Sequence, residues 1–133
     1  MACGRSAECM PMGHGTASWV LTRPGGVLVC ERCELADTVP TRMRGLLGRD
    51  GIDPGEGLLI RPTNSVHMFF MRFAIDVVFL DRELVVQKIV EALAPWRMAG
   101  CRGANAALEL PAGEAGRRGI TIGERLVLEA SGG

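Results

Sequence analysis

Hydrophobic and polar positions alternate with a period of two along much of the chain, the pattern of strands with one face in a core. Val27, Val29, Cys33 and Leu35 fall on one side of such a pattern, and Leu28, Cys30, Arg32 and Glu34 on the other. The period changes after Ala36. Asp37 or Thr38 can cap a helix there, Pro40 suits its first turn, and Val39, Met43, Leu46 and Leu47 fall on one helical face, with Gly48 at the end. Turn-forming residues follow from Asp50 to Gly57, then the apolar run Leu58-Leu59-Ile60 stopped by Pro62. Residues 66–80 are too long and too evenly apolar for one exposed strand. They divide near Phe73-Ala74 into two buried strands, the second turning at Asp81-Arg82 into a hairpin partner that carries Leu84, Val86 and Val90. A Pro/Gly-punctuated loop is expected over 95–105, a short strand over Ala106–Leu110, a tight turn or single helical turn over 111–119, and a last strand over 120–129 bent at Gly123.

Six to eight short strands and one helix predict a mostly β fold, all-β or α+β. The expected form is a compact antiparallel β-sandwich or partly closed barrel with one short helix near residues 38–48. At 133 residues the chain has room for one core, and a single β-rich domain is expected over 18–130. Residues 1–17 are Gly-rich and show neither period. With Met10 and Met12 as alternative starts they read as a disordered leader or as a start placed too early, and 131–133 read as a flexible tail.

Fifteen basic and fifteen acidic residues cancel, which argues against nucleic acid or an anionic lipid surface as partner. Lys88 is the single lysine among the basic residues, which points to a GC-rich genome rather than to a function. The opening residues hold no apolar signal segment, and no run reaches the length of a membrane span, so a cytoplasmic protein is the expectation. In that setting five cysteines favour reduced thiols over a disulfide framework.

Three motifs occur in order: Arg44-Gly45-Leu46-Leu47-Gly48-Arg49, the run from His67 through Met71, Arg72 and Asp76 to Asp81, and Leu108-Glu109-Leu110-Pro111-Ala112-Gly113 followed by Gly119 and Gly123. Over about Val27 to Leu128 the chain thereby resembles the bacterial and archaeal family catalogued as domain of unknown function 192. The resemblance implies a compact, mostly β fold and brings no established activity. Many members have Trp-Met-Lys-Asn-Thr where this chain has Phe70-Met71-Arg72-Phe73-Ala74, so no role resting on that Lys-Asn pair carries over. Many also have an export or lipoprotein signal, which implies an alternative role as an accessory protein of an envelope or assembly system.

Two carboxylates stand in apolar surroundings. Asp76 lies between Ile75 and Val77, and Glu109 between Leu108 and Leu110; each must find donors or a cation, or hold its proton more tightly. Arg44, Arg49 and Arg72 are the candidate cations, and an ion pair locking strands to helix is the favoured reading. The alternative is a hydrolase-type enzyme in which His67, Asp76 and Glu109 act as general acid and base, since such chemistry uses groups whose environments drive their pKa values apart. His67 itself reads more simply as a hydrogen-bonded core residue.

Cys30-Glu31-Arg32-Cys33 with Cys3, Cys9 and His14 could form a zinc site, but an offset of three along a strand turns Cys30 and Cys33 to opposite faces. No metal or other cofactor is therefore expected. Gly113, Gly116 and Gly119 around Arg117 and Arg118 could form a backbone nest for an anion. The favoured function is non-catalytic binding of a small molecule or peptide at Arg44, Arg49, His67, Met71, Arg72 and Asp76 with the 95–105 loop; no oligomeric state follows from the sequence.

Overall fold

A computed structural model describes residues 18–24, 26–36, 51–68 and 71–130. Among these residues nine strands and one helical turn follow in chain order: β1 (Ser18–Thr22), β2 (Leu28–Ala36), β3 (Glu56–Ile60), β4 (Ser65–His67), β5 (Ile75–Leu80), β6 (Val86–Leu93), β7 (Met98–Gly100), β8 (Ala106–Pro111), α1 (Glu114–Arg117) and β9 (Val127–Ala130). The fold is mostly β, as the alternation predicts. The helix expected near 38–48, and with it Arg44 and Arg49, lies outside the described residues, as do Phe69 and Phe70.

Seven strands form one sheet in the order β6-β5-β8-β3-β2-β1-β9, while β4 and β7 pair as a separate ribbon. Every pairing is antiparallel except β2 with β3, which run parallel from Arg32↔Glu56 to Ala36↔Ile60. A parallel pair needs a long crossover, and residues 37–55 supply it.

The middle strands are covered on both faces. On the inner face Leu21, Val29, Leu59, Val78, Leu80, Leu108, Leu110 and Leu126 form one core. On the outer face Leu58, Ile60, Ile75, Val77, Phe79 and Ala107 form a second, roofed by Val66 of β4 and by Met68 and Met71 of the connection that follows it. All six residues of β5 are buried, which is why this segment reads as an unbroken apolar run rather than an alternating one. Each large side chain fully withdrawn from water here contributes about 1.5–3 kcal/mol.

Register shifts curl the sheet. Between Leu28 and Cys33, β2 twice spends an extra residue against β1, as the partners Trp19↔Cys33, Leu21↔Cys30 and Thr22↔Leu28 show. Such bulges bend a strand and increase its twist. They also overturn the even alternation expected of this segment: Val29, Cys30 and Cys33 all enter the inner core, while Val27 and Leu28 are exposed. Cys30 and Cys33 thus share a face instead of opposing each other.

The curl brings the two edges of the sheet within reach, although they do not close into a continuous barrel. Among the described residues a single bridge, Val85↔Arg125, joins them, flanked by Val86 N donating to Glu124 O at 2.8 Å and Leu126 N to Leu84 O at 2.9 Å. Arg23, which follows β1, braces the β9 side of this seam, donating from Nε to Glu124 Oε1 at 2.8 Å and from Nη1 to Arg118 O at 2.9 Å.

Two further expectations change. Of the described residues in the first buried strand proposed over 66–72, only Val66 and His67 are strand, as part of β4, and the 95–105 loop contains β7. The reason is mutual. Met68 N donates to Arg97 O and Trp96 N to Met68 O, so the loop supplies the partner that the short strand lacks.

Candidate functional site

Asp76 and Glu109 sit on neighbouring strands, in a register that separates them. Asp76 pairs with Leu110 and Val77 with Glu109. Cross-strand partners share a face, so Asp76 joins Leu110 on the inner side and Glu109 joins Val77 on the outer side. The two carboxylates do not share a cleft.

Asp76 has no exposed surface. Its Oδ1 accepts from Ala92 N at 2.8 Å, and Oδ2 from Gly113 N at 3.0 Å and Ala115 N at 2.9 Å. Donors are therefore found, but they are three backbone amides rather than the arginine the sequence suggested. Ala92 has a φ of 51° and sits in a bulge of the β5–β6 pairing, between Ile75↔Leu93 and Val77↔Val90. Gly113, at a φ of 90°, opens α1. Of the nest expected from Gly113, Gly116 and Gly119 around Arg117 and Arg118, only the Gly113 amide binds an anion, joined by Ala115, and that anion is the chain's own Asp76; the Gly119 amide donates to Gly116 O and the arginines pair with Glu114. One carboxylate thereby ties β5 to the β6 bulge and to the β8–α1 turn.

Glu109 is 5% exposed, flanked in register by Leu58 of β3 and Val77 of β5. Among the described residues its carboxyl has no hydrogen bond and no ion pair. Burial alone, with no compensating donor, raises its pKa to about 7. Near neutral pH the group therefore holds or releases a proton with small bias, inside an apolar layer that also contains Met68 and Met71. A carboxyl in this state can pair with a cation or an N–H when ionised, and can donate to a carbonyl when protonated.

The remaining predicted residues distribute unevenly. Met71 packs in the outer layer with Leu58 and Val77. His67 is exposed rather than in the core: its neighbour Val66 turns inward, so His67 faces away, opposite Met98 on β7. Arg72 is exposed. Cys101 is half-buried against the outer layer, its Sγ donating to Arg102 O at 3.4 Å. Among the described residues no group of three or more His, Cys, Asp or Glu side chains could hold a metal ion; Cys3, Cys9 and His14 lie outside them.

The charges around α1 serve the fold. Glu114 is buried, a position that by itself raises its pKa, yet the guanidinium groups of Arg117 and Arg118 outweigh this and hold it below the usual carboxylate range. Arg118 continues to Leu28 O and lies 3.6 Å from Glu31, clamping α1 onto β2.

Sequence reasoning did not reach Leu58 and Val77 as the flanks of Glu109, because register across β3, β8 and β5 is set by contacts far apart in the chain. It did find Glu109, through the single signal of an acid between two leucines.

Comparison with known proteins agrees with this architecture. A Thermococcus sibiricus protein designated UPF0127 is 30% identical over 112 residues, covering 80% of this chain and 72% of its own length. A Novosphingobium aromaticivorans protein of unknown function has the same fold, with a TM-score of 0.73 at 23% identity over 96% of this chain and 97% of that one. A Sinorhizobium meliloti protein proposed as a transcription regulator matches with a TM-score of 0.74 at 23% identity, over 89% and 97% of the two chains. The family model for domain of unknown function 192, an uncharacterized ACR, matches residues 20–128, which takes in the curled sheet, both carboxylates and the seam. The chain belongs to that family.

Proposed function

We propose that the chain is a non-catalytic binding domain for a small ligand, or a peptide side chain, with an apolar body and a cationic or N–H-donating head taken up beside Glu109. The observation that carries this reading is a carboxyl at 5% exposure with no partner among the described residues, set between Leu58 and Val77. Leaving such a group unpaired costs about 1–3 kcal/mol, a cost that a ligand donor would offset. Met68 and Met71 in the same layer are side chains that adapt their shape to an apolar guest.

Binding is favoured over the hydrolase alternative because acid–base chemistry with His67, Asp76 and Glu109 needs the three groups around one reacting centre. Here Asp76 is committed to three amides on the opposite face, and His67 faces away from the outer layer.

The test is a titration of the isotopically labelled chain with three probes of one size, butylammonium, butanol and butyrate, followed by amide chemical shifts. Butylammonium is expected to move Leu58, Val77 and Glu109 most, and Glu109→Leu to abolish the response. Equal responses to butylammonium and butyrate, or none in that row, would remove Glu109 as the recognition group.

A further inference from the structure

The charges of this chain are unevenly placed. The β4–β7 ribbon and the segments that tie it to the sheet, residues 61–75 and 94–105, hold Arg61, His67, Arg72, Arg97 and Arg102 and not one Asp or Glu, in a chain whose fifteen bases and fifteen acids cancel. Lys88 joins them from β6, donating from Nζ to Gly100 O of β7 at 2.8 Å. The acid of β6, Glu91, is directed instead toward α1, its Oε2 3.9 Å from where a Cβ on Gly116 would stand. Elsewhere in the described fold arginines meet acids: Arg23 pairs with Glu124, and Arg117 and Arg118 with Glu114. Among the described residues Arg97 and Arg102 have no acidic partner.

Large apolar side chains stand on the same ribbon. Val66 and Ala99 turn inward and pack on the outer layer, so their neighbours turn outward, with His67 opposite Met98. Met98 is 65% exposed, and Trp96, two residues before it, is 59% exposed. The backbone under that ring is held, Trp96 N donating to Met68 O at 2.8 Å. Among the described residues no element covers this face: Ser65, His67, Met98 and Gly100 are all exposed.

We infer that the outward face of the β4–β7 ribbon docks on an anionic lipid surface, with Arg72, Arg97, Arg102 and Lys88 at the headgroups and Trp96 and Met98 entering the headgroup–acyl boundary. A net charge of zero opposes such docking only where the two signs are mixed. Fields in salt fade within about 8 Å, so a membrane senses the face turned toward it rather than the sum over the chain. The apolar pair decides the occupant. Single-stranded nucleic acid needs aromatic platforms repeated along a charged groove, and an acidic peptide needs a groove or pockets for its side chains. This face is instead the outermost layer of the described fold, with two apolar side chains projecting from it. A bilayer accepts projecting side chains without a matching pocket, and tryptophan settles at its headgroup level. Attachment of this kind is peripheral and reversible. It does not rest on Glu109, which belongs to the sheet beneath the ribbon.

In the full chain carrying Trp19→Phe, Trp96 is the sole tryptophan and its emission reports its own surroundings. Vesicles of phosphatidylserine with phosphatidylcholine are expected to shift that emission to the blue and to carry the parent chain with them on flotation. Vesicles of phosphatidylcholine alone are expected to do neither. Arg97→Glu combined with Arg102→Glu is expected to weaken flotation by at least about tenfold, as is raised salt. Met98→Ser is expected to weaken it at unchanged charge, and Arg82→Glu, in the β5–β6 turn, to leave it unchanged. All four positions are exposed, and a melting temperature equal to the parent's confirms that each variant is folded. Absence of flotation, equal flotation with neutral vesicles, Trp96 emission unmoved while the chain floats, or an equal loss in Arg82→Glu would overturn the inference. Tighter binding to oligothymidylate or to oligoglutamate than to the anionic vesicles would overturn it in favour of nucleic acid or an acidic peptide.

Discussion

Glu109 and Asp76 show how two acids in equally apolar sequence surroundings reach opposite states. Asp76 collects three amide donors, and replacing it with Asn turns an NH2 group toward at least one of them; we expect Asp76→Asn to cost about 2–3 kcal/mol in urea unfolding. Among the described residues Glu109 collects none. Its folded pKa of about 7 lies above the ordinary 4.5, so the folded chain binds the proton more tightly over that interval. Its stability contribution is whole below about pH 4.5 and is lost as pH rises toward 7, a change on the order of 3 kcal/mol. Glu109→Gln removes this slope, so the variant is expected to be the more stable protein at neutral pH and to show a flatter melting temperature between about pH 5 and 7. Glu114 and Glu124 act outside that window. Burial opposes ionisation in both, but Arg117 and Arg118 hold Glu114 low and the Thr121 amide with Arg23 holds Glu124 low, so their contribution is present above the ordinary carboxylate range and disappears as pH falls below it. At this scale the sequence was informative about which residues are unusual and silent about why: an acid flanked by apolar residues marks a problem, and whether amides, a cation or nothing solves it depends on strands distant in the chain.

At the scale of elements, β2 departs most from the pattern that its sequence suggests. Alternation assigns its cysteines to opposite faces, and two inserted residues cancel that assignment. A bulge leaves little trace in hydrophobic periodicity because it depends on the partner strand, here β1. Gly57 is the matching feature on β3. Gly57→Ala would set a Cβ against Cys30 Sγ at 2.8 Å, Leu110 Cδ2 at 3.0 Å and the Glu109 carbonyl at 3.1 Å. It is expected to destabilise the chain by about 1–3 kcal/mol. Cys30→Ala in the same chain should recover only part of that loss, since the carbonyl contact remains; full recovery in a double-mutant cycle would contradict this packing. The β5–β6 hairpin, β8 and α1 were by contrast legible, because local signals place them: a turn at Asp81-Arg82, an apolar run ended by Pro111, and the Gly-rich segment after it.

For the molecule as a whole, the decisive features are a sheet that curls until its edges meet at one bridge and an outer layer roofed by the β4–β7 ribbon. Arg23 holds Glu124, whose carbonyl accepts from Val86 N across the seam, so Arg23→Ala is expected to speed hydrogen exchange at Val86, Gly123 and Leu126 well before β5 or β8 responds; uniform acceleration would show that the seam opens only with global unfolding. A mostly β class followed from composition and period, but the strand order and the single parallel pair did not, since both rest on the long crossover between β2 and β3. Binding beside Glu109 is the central claim, and the carboxyl's own titration tests it most directly. In the intact chain, with glutamate side-chain carbons labelled and Glu109→Gln used for assignment, Glu109 is expected to titrate near 7 and to shift lower when butylammonium is added, because a bound cation favours the ionised form. A midpoint near about 4.3, the value of a solvated glutamate, unmoved by the probe would contradict the account.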